Sequence, residues 1–317
     1  MSPRIILPFR SVARRRRGRE PEPAAAAAET YGGSYFGEGR DPLDRMGLSG
    51  YERYDRTTSN ADAAAFLAWK WFDVSRTLDA GCAMGFVVEA LRELGVDAEG
   101  VDISAHAVEH AAAGARGHLR QGSLTDRLPF ADGEFELVTV LEVLEHLEPG
   151  QVPAALRELR RVTRGYVFAT IPSFGPNEFG RDGWFDGKVR PERLAHYQAL
   201  DDTYDGPIPF VDLAVDARGG PLEGHLTIAS YAFWQRSFEA AGFVRCGAIE
   251  RRMHVDLARF GLTEFWSLYV FRAPGAAEPS APARPAGECD AQERRWGLDE
   301  RPGNPDDVAA ALARLTP

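Results

Sequence analysis

Thr77-Leu-Asp-Ala-Gly-Cys-Ala-Met-Gly-Phe86 runs an apolar strand into an acid, then two glycines, then the start of a helix. Gly81 and Gly85 have no Cβ, so the backbone can turn sharply and lie against a ligand while the following helix aims its free N–H groups at it. Gly100-Val-Asp-Ile-Ser104 follows about one βα unit later. That spacing puts Asp102 at the end of a second strand, where a carboxylate can bind ribose hydroxyls. The order predicts a nucleotide-cofactor site at the carboxyl edge of a parallel sheet.

The alternation continues on both sides. Ser59 to Phe72 reads as a leading helix capped by Ser59 or Asn60, and Arg76 to Ala80 as the first strand. A helix from Gly85 to Leu94, a strand ending at Asp102, a helix capped by Ser104 and a strand around His118 to Gln121 follow. Phe135 to Leu141, then helix Val152 to Val162 and strand Gly165 to Ile171, complete five units. The expected fold class is α/β, a Rossmann-like doubly wound sheet with helices on both faces. Residues 172–228 are dense in Gly, Pro, Asp and aromatics, which predicts a lid or a small subdomain inserted after strand five. Ser230 caps a further helix, and Phe243 to Arg251 with Phe265 to Phe271 read as a terminal strand pair.

With Phe135-Glu-Leu-Val-Thr-Val-Leu-Glu-Val-Leu-Glu-His-Leu147 added, these segments resemble the class I S-adenosylmethionine-dependent methyltransferases. The look is closest to the small-molecule, type 11 branch that includes quinone-biosynthesis enzymes. The resemblance spans about residues 50 to 273, with its specific motifs in the first half. It implies S-adenosylmethionine as cofactor, an antiparallel last strand, and a small-molecule acceptor methylated at oxygen. It also assigns residues: Asp79 at the methionine end, Gly81, Ala83 and Gly85 in the turn, Asp102 and Ile103 at the ribose, and the Leu141 carbonyl facing the ammonium. Ala83 stands where the family commonly has glycine. Ser123 stands where an acid commonly meets the adenine amino group, before Leu128-Pro-Phe130, leaving Ser123 with the Leu124 backbone, or Asp126, to serve it.

Methyl transfer is an in-line displacement governed by positioning, and a base is needed only where the acceptor still holds its proton. His146, in the Glu145-His146 pair, and His225, in Gly224-His-Leu-Thr-Ile-Ala-Ser230, are the candidate catalytic histidines, each with the alternative of holding a loop by hydrogen bonding. Phe174, Phe179, Trp184, Phe185, Tyr197, Tyr204 and Phe210 either pack the insertion's own core or wall an acceptor pocket. Tyr31-Gly-Gly-Ser-Tyr-Phe36 and Tyr51-Glu-Arg-Tyr-Asp-Arg56 are a candidate flap over the cofactor, with Tyr54 or Arg56 meeting its carboxylate.

Two other functions compete. A nicotinamide-dependent oxidoreductase expects G-x-G-x-x-G, whereas this turn is G-x-x-x-G. A cofactor-binding regulatory module without catalysis would accommodate the departures at Ala83 and Ser123.

The formal charge of -10 and pI near 5.3 argue against a nucleic-acid surface, which needs a clustered positive field. Lys70 and Lys188 are the only lysines among 37 Lys and Arg residues, a bias of bacterial, high-GC type. Cys82, Cys246 and Cys289 form no CxxC pair, so neither a zinc site nor a disulfide framework is indicated, and Cys82 reads as a small apolar filler. No apolar run is long enough to span a bilayer, and a cytoplasmic protein is expected. The expected organisation is a disordered arm over residues 1–29, whose Arg14 to Arg19 cluster is either solvated or in peripheral contact with an acidic surface. A methyltransferase-like domain over 30–273, a linker over 274–303 and a short helix over 304–317 follow it.

Overall fold

The computed structural model of the chain describes residues 31–32, 35–36, 54–177, 180–182, 187–200, 203–215, 219–262 and 267–315. The basic arm over residues 1–29 lies outside them, as do Phe179, Trp184 and Phe185.

The elements run α1 (Ala61–Trp71), β1 (Arg76–Ala80), α2 (Phe86–Glu93), β2 (Asp97–Asp102), α3 (Ala105–Glu109), β3 (Leu119–Gln121), β4 (Phe135–Leu141), α4 (Val152–Val162) and β5 (Thr163–Thr170). Beyond these come β6 (Ser173–Asn177), β7 (Gly180–Asp182), α5 (Pro191–Leu200), β8 (Ala229–Ser230), α6 (Tyr231–Ala240), β9 (Val244–Arg245), α7 (Gly247–Arg259), β10 (Leu268–Arg272), α8 (Ala286–Arg295) and α9 (Pro305–Ala313). A seven-stranded sheet takes the order β3-β2-β1-β4-β5-β10-β9. The pairs among β1 to β5 are parallel, while β10 runs antiparallel to β5 and β9. The Rossmann-like expectation and the antiparallel late strand both hold.

Period-two alternation in the strands feeds two cores. Leu137, Leu268 and Val270 face a cluster with α1, α2 and α7, whereas Val138, Val140, Tyr269 and Phe271 face one with α4 and α6. Both faces are covered, as a parallel sheet requires. Helix α2 buries Val87, Val88, Ala90 and Leu91 and stops at Leu94 and Gly95, where φ is +80°. The Val96 N–H then donates to the Leu91 carbonyl at 3.0 Å, closing the helix end.

Strand order reverses between β1 and β4. In such a sheet the crevice outside the strands' carboxyl ends, at that switch point, is where ligands bind. The insertion is closed at its base by the parallel β6–β8 pair, Ser173 with Ala229 and Phe174 with Ser230. Phe174, Val189, Tyr197, Ile208, Leu213 and Ile228 form its own small core. The expected self-packing therefore holds for Phe174, Tyr197 and the adjoining Tyr204, but Phe210 is 51 % exposed.

Two expectations need correcting. Residues 247–259 are a helix, with only Val244–Arg245 as strand before β10. Ile249, Met253 and Leu257 recur every four residues on its buried side, a helical period that no strand register accommodates. The stretch expected as a linker contains α8, whose Cys289 joins the main core together with Leu298, and whose Glu293 pairs with Arg259 at 2.7 Å. Helix α9 forms where expected, with the Asn304 side chain accepting from the Asp306 N–H at 3.0 Å; Leu312 and Leu315 nonetheless face solvent.

Candidate active site

Strand β1 delivers Asp79 to the switch point, directly beside Thr139 of β4. The Thr139 hydroxyl donates to Asp79 Oδ1 at 2.6 Å, yet the carboxyl is fully enclosed, and burial pushes its pKa up to about 7. Beyond it the chain turns while staying pinned to β2: the Gly81 and Cys82 N–H groups both donate to the Val101 carbonyl, at 2.7 and 3.1 Å. A Cβ on Gly81 would meet the Val143 side chain at 2.4 Å, and one on Gly85 would meet Ala115 and Leu119 at 2.9 Å. With φ at +82° and +77°, these glycines are required by the turn itself and by close packing against the protein. Cys82 is buried, and its sulfur occupies the space over Gly100, where a Cβ would meet Sγ at 2.6 Å. Burial holds that thiol well above its usual range, as suits a filler.

Asp102 ends β2 and accepts two backbone N–H groups, from Ala83 at 2.8 Å and from Ser104 at 2.8 Å, one on each oxygen. Burial raises its pKa and these two bonds oppose the rise. Ala83 sits at φ +46°, so the turn takes its left-handed shape without the family's usual glycine. Ile103 follows, its carbonyl accepting from Gln121 Nε2 at 3.1 Å. Ser123 and the buried Leu124 lie in the loop after β3. There the Ser123 hydroxyl is bonded to that of Thr125 at 2.8 Å, and Asp126 is exposed.

A pocket at the switch point is lined by Tyr54, Asn60, Asp79, Gly81, Leu141 and Glu142, among others. Tyr54 reaches it, as the flap reading anticipates. Arg56 does not: it pairs with Asp62 at 2.6 Å and Glu93 at 2.6 Å on the outside of α1 and α2. The other flap segment packs over the turn, with Phe36 buried against Ala83 and Ala107, and with the Ser104 hydroxyl donating to the Tyr31 carbonyl at 2.5 Å. Burial and the carboxylates of Glu145 and Asp102 raise the Tyr31 phenol's pKa, and its ring stands edge-on to that of His146 at 5.8 Å, at the lip of β4.

At that lip, a short turn over Leu144–His146 presents Glu145, His146 and, from across the chain, His225. Hydrogen bonds staple the two segments together. The Leu226 and Thr227 N–H groups donate to the Glu145 carbonyl at 2.8 and 2.9 Å, and His146 Nδ1 donates to the Gly224 carbonyl at 3.1 Å. Burial lowers the His146 pKa to about 4 and that of His225 well below its ordinary value, while Glu145 is held well above the carboxylate range by burial and by Glu142. Burial raises Glu142 itself to about 7, with a smaller push from the Glu223 carboxylate. Lys188 pairs with Glu223 beside His225.

Among the described residues, the non-glycine positions with positive φ are Asn60, Ala83, Glu142 and Glu223, and all four edge this region. Backbone strain concentrated in one place is a mark of functional sites. The sequence reading missed Thr139, Glu145 as a member of the cluster, Lys188 and Glu223. Rarity was an available signal for Lys188, one of only two lysines.

A match to the family described as "Methyltransferase domain" covers residues 78–168, which takes in Asp79, the turn, Asp102, β4 and the Glu145-His146 lip. Over residues 78–168 the chain resembles a methyltransferase domain. The chain is also similar to two proteins named "Ubiquinone biosynthesis O-methyltransferase". That of Methylococcus capsulatus is 35% identical over 106 residues, 30% of this chain and 43% of that one. That of Thiobacillus denitrificans is 31% identical over 121 residues, 33% and 50%. The chain thus spans half or less of the length of these curated relatives. Among solved structures, PH0226 protein from Pyrococcus horikoshii OT3 aligns over 74% of this chain and all of that one, at 16% identity and a TM-score of 0.45. No helix among the described residues is long and apolar enough to cross a membrane.

Proposed function

We propose that this methyltransferase moves the methyl group of S-adenosylmethionine onto an oxygen nucleophile of a small molecule. The observation that carries the reading is the placement of two carboxylates at the carboxyl ends of the adjacent strands β1 and β2, Asp79 buried and lining the switch-point pocket, and Asp102 half-buried and bonded to the Ala83 N–H of the glycine turn. The residues fit the donor. Asp79 is a nearly uncompensated acid beside the pocket, suited to a cationic ammonium, whose charge would draw its pKa back down. Each Asp102 oxygen takes one backbone N–H and retains a lone pair for a ribose hydroxyl. The left-handed Ala83 also removes the main reason to regard the turn as disabled.

The bound donor supplies an electrophilic methyl on a sulfonium, and the protein's share is positioning and proton handling. Since the Gly224 carbonyl can only accept, His146 carries its proton on Nδ1 and turns the Nε2 lone pair toward Glu145, 3.9 Å away. His146, steadied by Glu145 and His225, is the group we assign to the acceptor's hydroxyl proton. The two relatives named as O-methyltransferases support oxygen as the acceptor atom. The test is a methyl-donor turnover assay across phenols, sugar hydroxyls, carboxylates and amines. Labelled methyl recovered on an oxygen acceptor is the expected result, and transfer confined to amines would overturn the assignment.

A further inference from the structure

Glu145, His146 and His225 each offer a ligand atom, and the three atoms lie within 4.8 Å of one another. Both oxygens of Glu145 are buried with no hydrogen-bond donor among the described residues, and His225 Nδ1 is buried with no partner among them. Glu145 has no exposed surface and His225 is 7% exposed. Orphaned polar atoms at such depth are expensive, and three of them from two residues lying side by side are rarer than any one alone. The remaining ring nitrogens are accounted for. His146 Nδ1 is held by the Gly224 carbonyl at 3.1 Å, and His225 Nε2 faces Glu223 Oε2 at 3.8 Å, itself paired with Lys188. In metal sites the non-ligating imidazole N–H is anchored to a carbonyl or carboxylate, as His146 Nδ1 is here, which fixes the tautomer and aims the other nitrogen; the His225–Glu223 pair is an ionic approach longer than a hydrogen bond.

We infer that Glu145, His146 and His225 form a binding site for one divalent first-row transition cation, ligated by one carboxylate oxygen, His146 Nε2 and His225 Nδ1. Two imidazoles with one carboxylate favour zinc, cobalt or iron over magnesium or calcium, which prefer all-oxygen shells. A tetrahedral zinc ion with bonds of ~2.0–2.1 Å holds its ligands about 3.3 Å apart. The three donors therefore need to draw in by at most about 1.5 Å, a side-chain adjustment on segments already stapled by the Leu226, Thr227 and Gly224 hydrogen bonds. Three protein ligands leave an open position, the arrangement of a cation that takes substrate or water. With the cation bound, His146 Nε2 would be a ligand and not the base proposed above, and the cation at its open position would instead lower the pKa of an acceptor hydroxyl. That part rests on the function proposed above; binding itself does not. The cysteines take no part, and Glu145 and His225 are 80 positions apart in sequence, beyond the reach of any spacing motif.

The experiment is a titration of the untagged full chain, stripped with EDTA and dialysed, with Co2+ and then Zn2+, read by visible absorption and by metal content after gel filtration. The expected result is one equivalent bound per chain with a Co2+ ligand-field band, displaced by Zn2+. At hundredfold excess over Kd, the metal should raise Tm by roughly 5 °C. Glu145→Gln and His225→Asn should each weaken Co2+ binding at least tenfold and lose the Tm gain. Each variant is first checked for a cooperative melt in EDTA, and His146→Asn replaces either one that fails. Since Gln removes a buried unpaired carboxyl, Glu145→Gln should melt at least as high as the parent in EDTA. No binding tighter than 1 mM, or equal Co2+ affinity in the folded variants, would overturn the site. Neither readout uses methyl transfer, so failure here and failure of the function reading are separable.

Discussion

Replacing Asp79 with Asn should stabilise the protein while weakening its hold on the methyl donor. The carboxyl is buried, and its one observed side-chain partner is Thr139, whose hydroxyl an Asn carbonyl can also receive. Its pKa stands at about 7 against 3.8 for the unperturbed group. The sign follows from proton counts. Between pH 3.8 and 7 the folded state keeps a proton that the unfolded chain has released, so wild-type stability falls as pH rises through that window. At 1.36 kcal/mol per pH unit the penalty is about 2 kcal/mol at pH 5 and levels off near 4 kcal/mol above pH 7. Asn does not titrate, so Asp79→Asn should gain up to these amounts in urea unfolding at pH 5 and pH 8, with the larger gain at pH 8. Calorimetry at pH 8 should show donor affinity reduced at least tenfold, since the anion facing the ammonium is gone. A variant no more stable than wild type at pH 8, or a gain that does not grow with pH, would refute the reasoning.

Asp102→Ala should abolish donor binding and cost about 2 kcal/mol or more of stability, because the Ala83 and Ser104 N–H groups lose their acceptor; unchanged calorimetric affinity would remove Asp102 from the site. Gly81→Ala should destabilise by about 2–4 kcal/mol, from a left-handed Cβ and its collision with Val143, and a denaturation midpoint equal to wild type would contradict the packing role. His146→Ala should cut turnover by about 10²-fold or more with little loss of donor affinity, and unchanged turnover would return His146 to the scaffold.

The first half of the domain was legible because its determinants are local. Alternating apolar residues, a glycine turn and strand-end acids lie within a few positions of each other, so β1, the turn, β2 and β4 could be placed nearly to the residue. The second half hides its determinants in distant partners. Helix α7 carries Glu250, His254 and Asp256 on its buried side, which interrupt the apolar stripe. Glu250 is satisfied by the Val270 N–H at 2.9 Å and by Arg245 at 2.8 Å, and Asp256 by Lys70 at 2.7 Å and Trp71 at 2.8 Å. No local pattern announces those partners. Helix α8 was masked in the same manner, by a Pro- and Ala-rich composition that reads as linker until Cys289 meets the core. In the site, Asp79 and Asp102 stood out at strand ends, while the Glu145, His146 and His225 cluster depends on a long insertion returning its end to the lip of β4. The glycines were recognised but for an incomplete reason: their bare Cα atoms make room for Val143, Ala115 and Leu119.

The claim on which the rest depends is that the crevice between β1 and β4 holds S-adenosylmethionine. Calorimetric titration of the full chain at pH 8 with S-adenosylmethionine, and in parallel with NADH, tests it directly. The account predicts saturable one-to-one binding of S-adenosylmethionine, lost in Asp102→Ala, and no heat with NADH. Binding of NADH alone would contradict it.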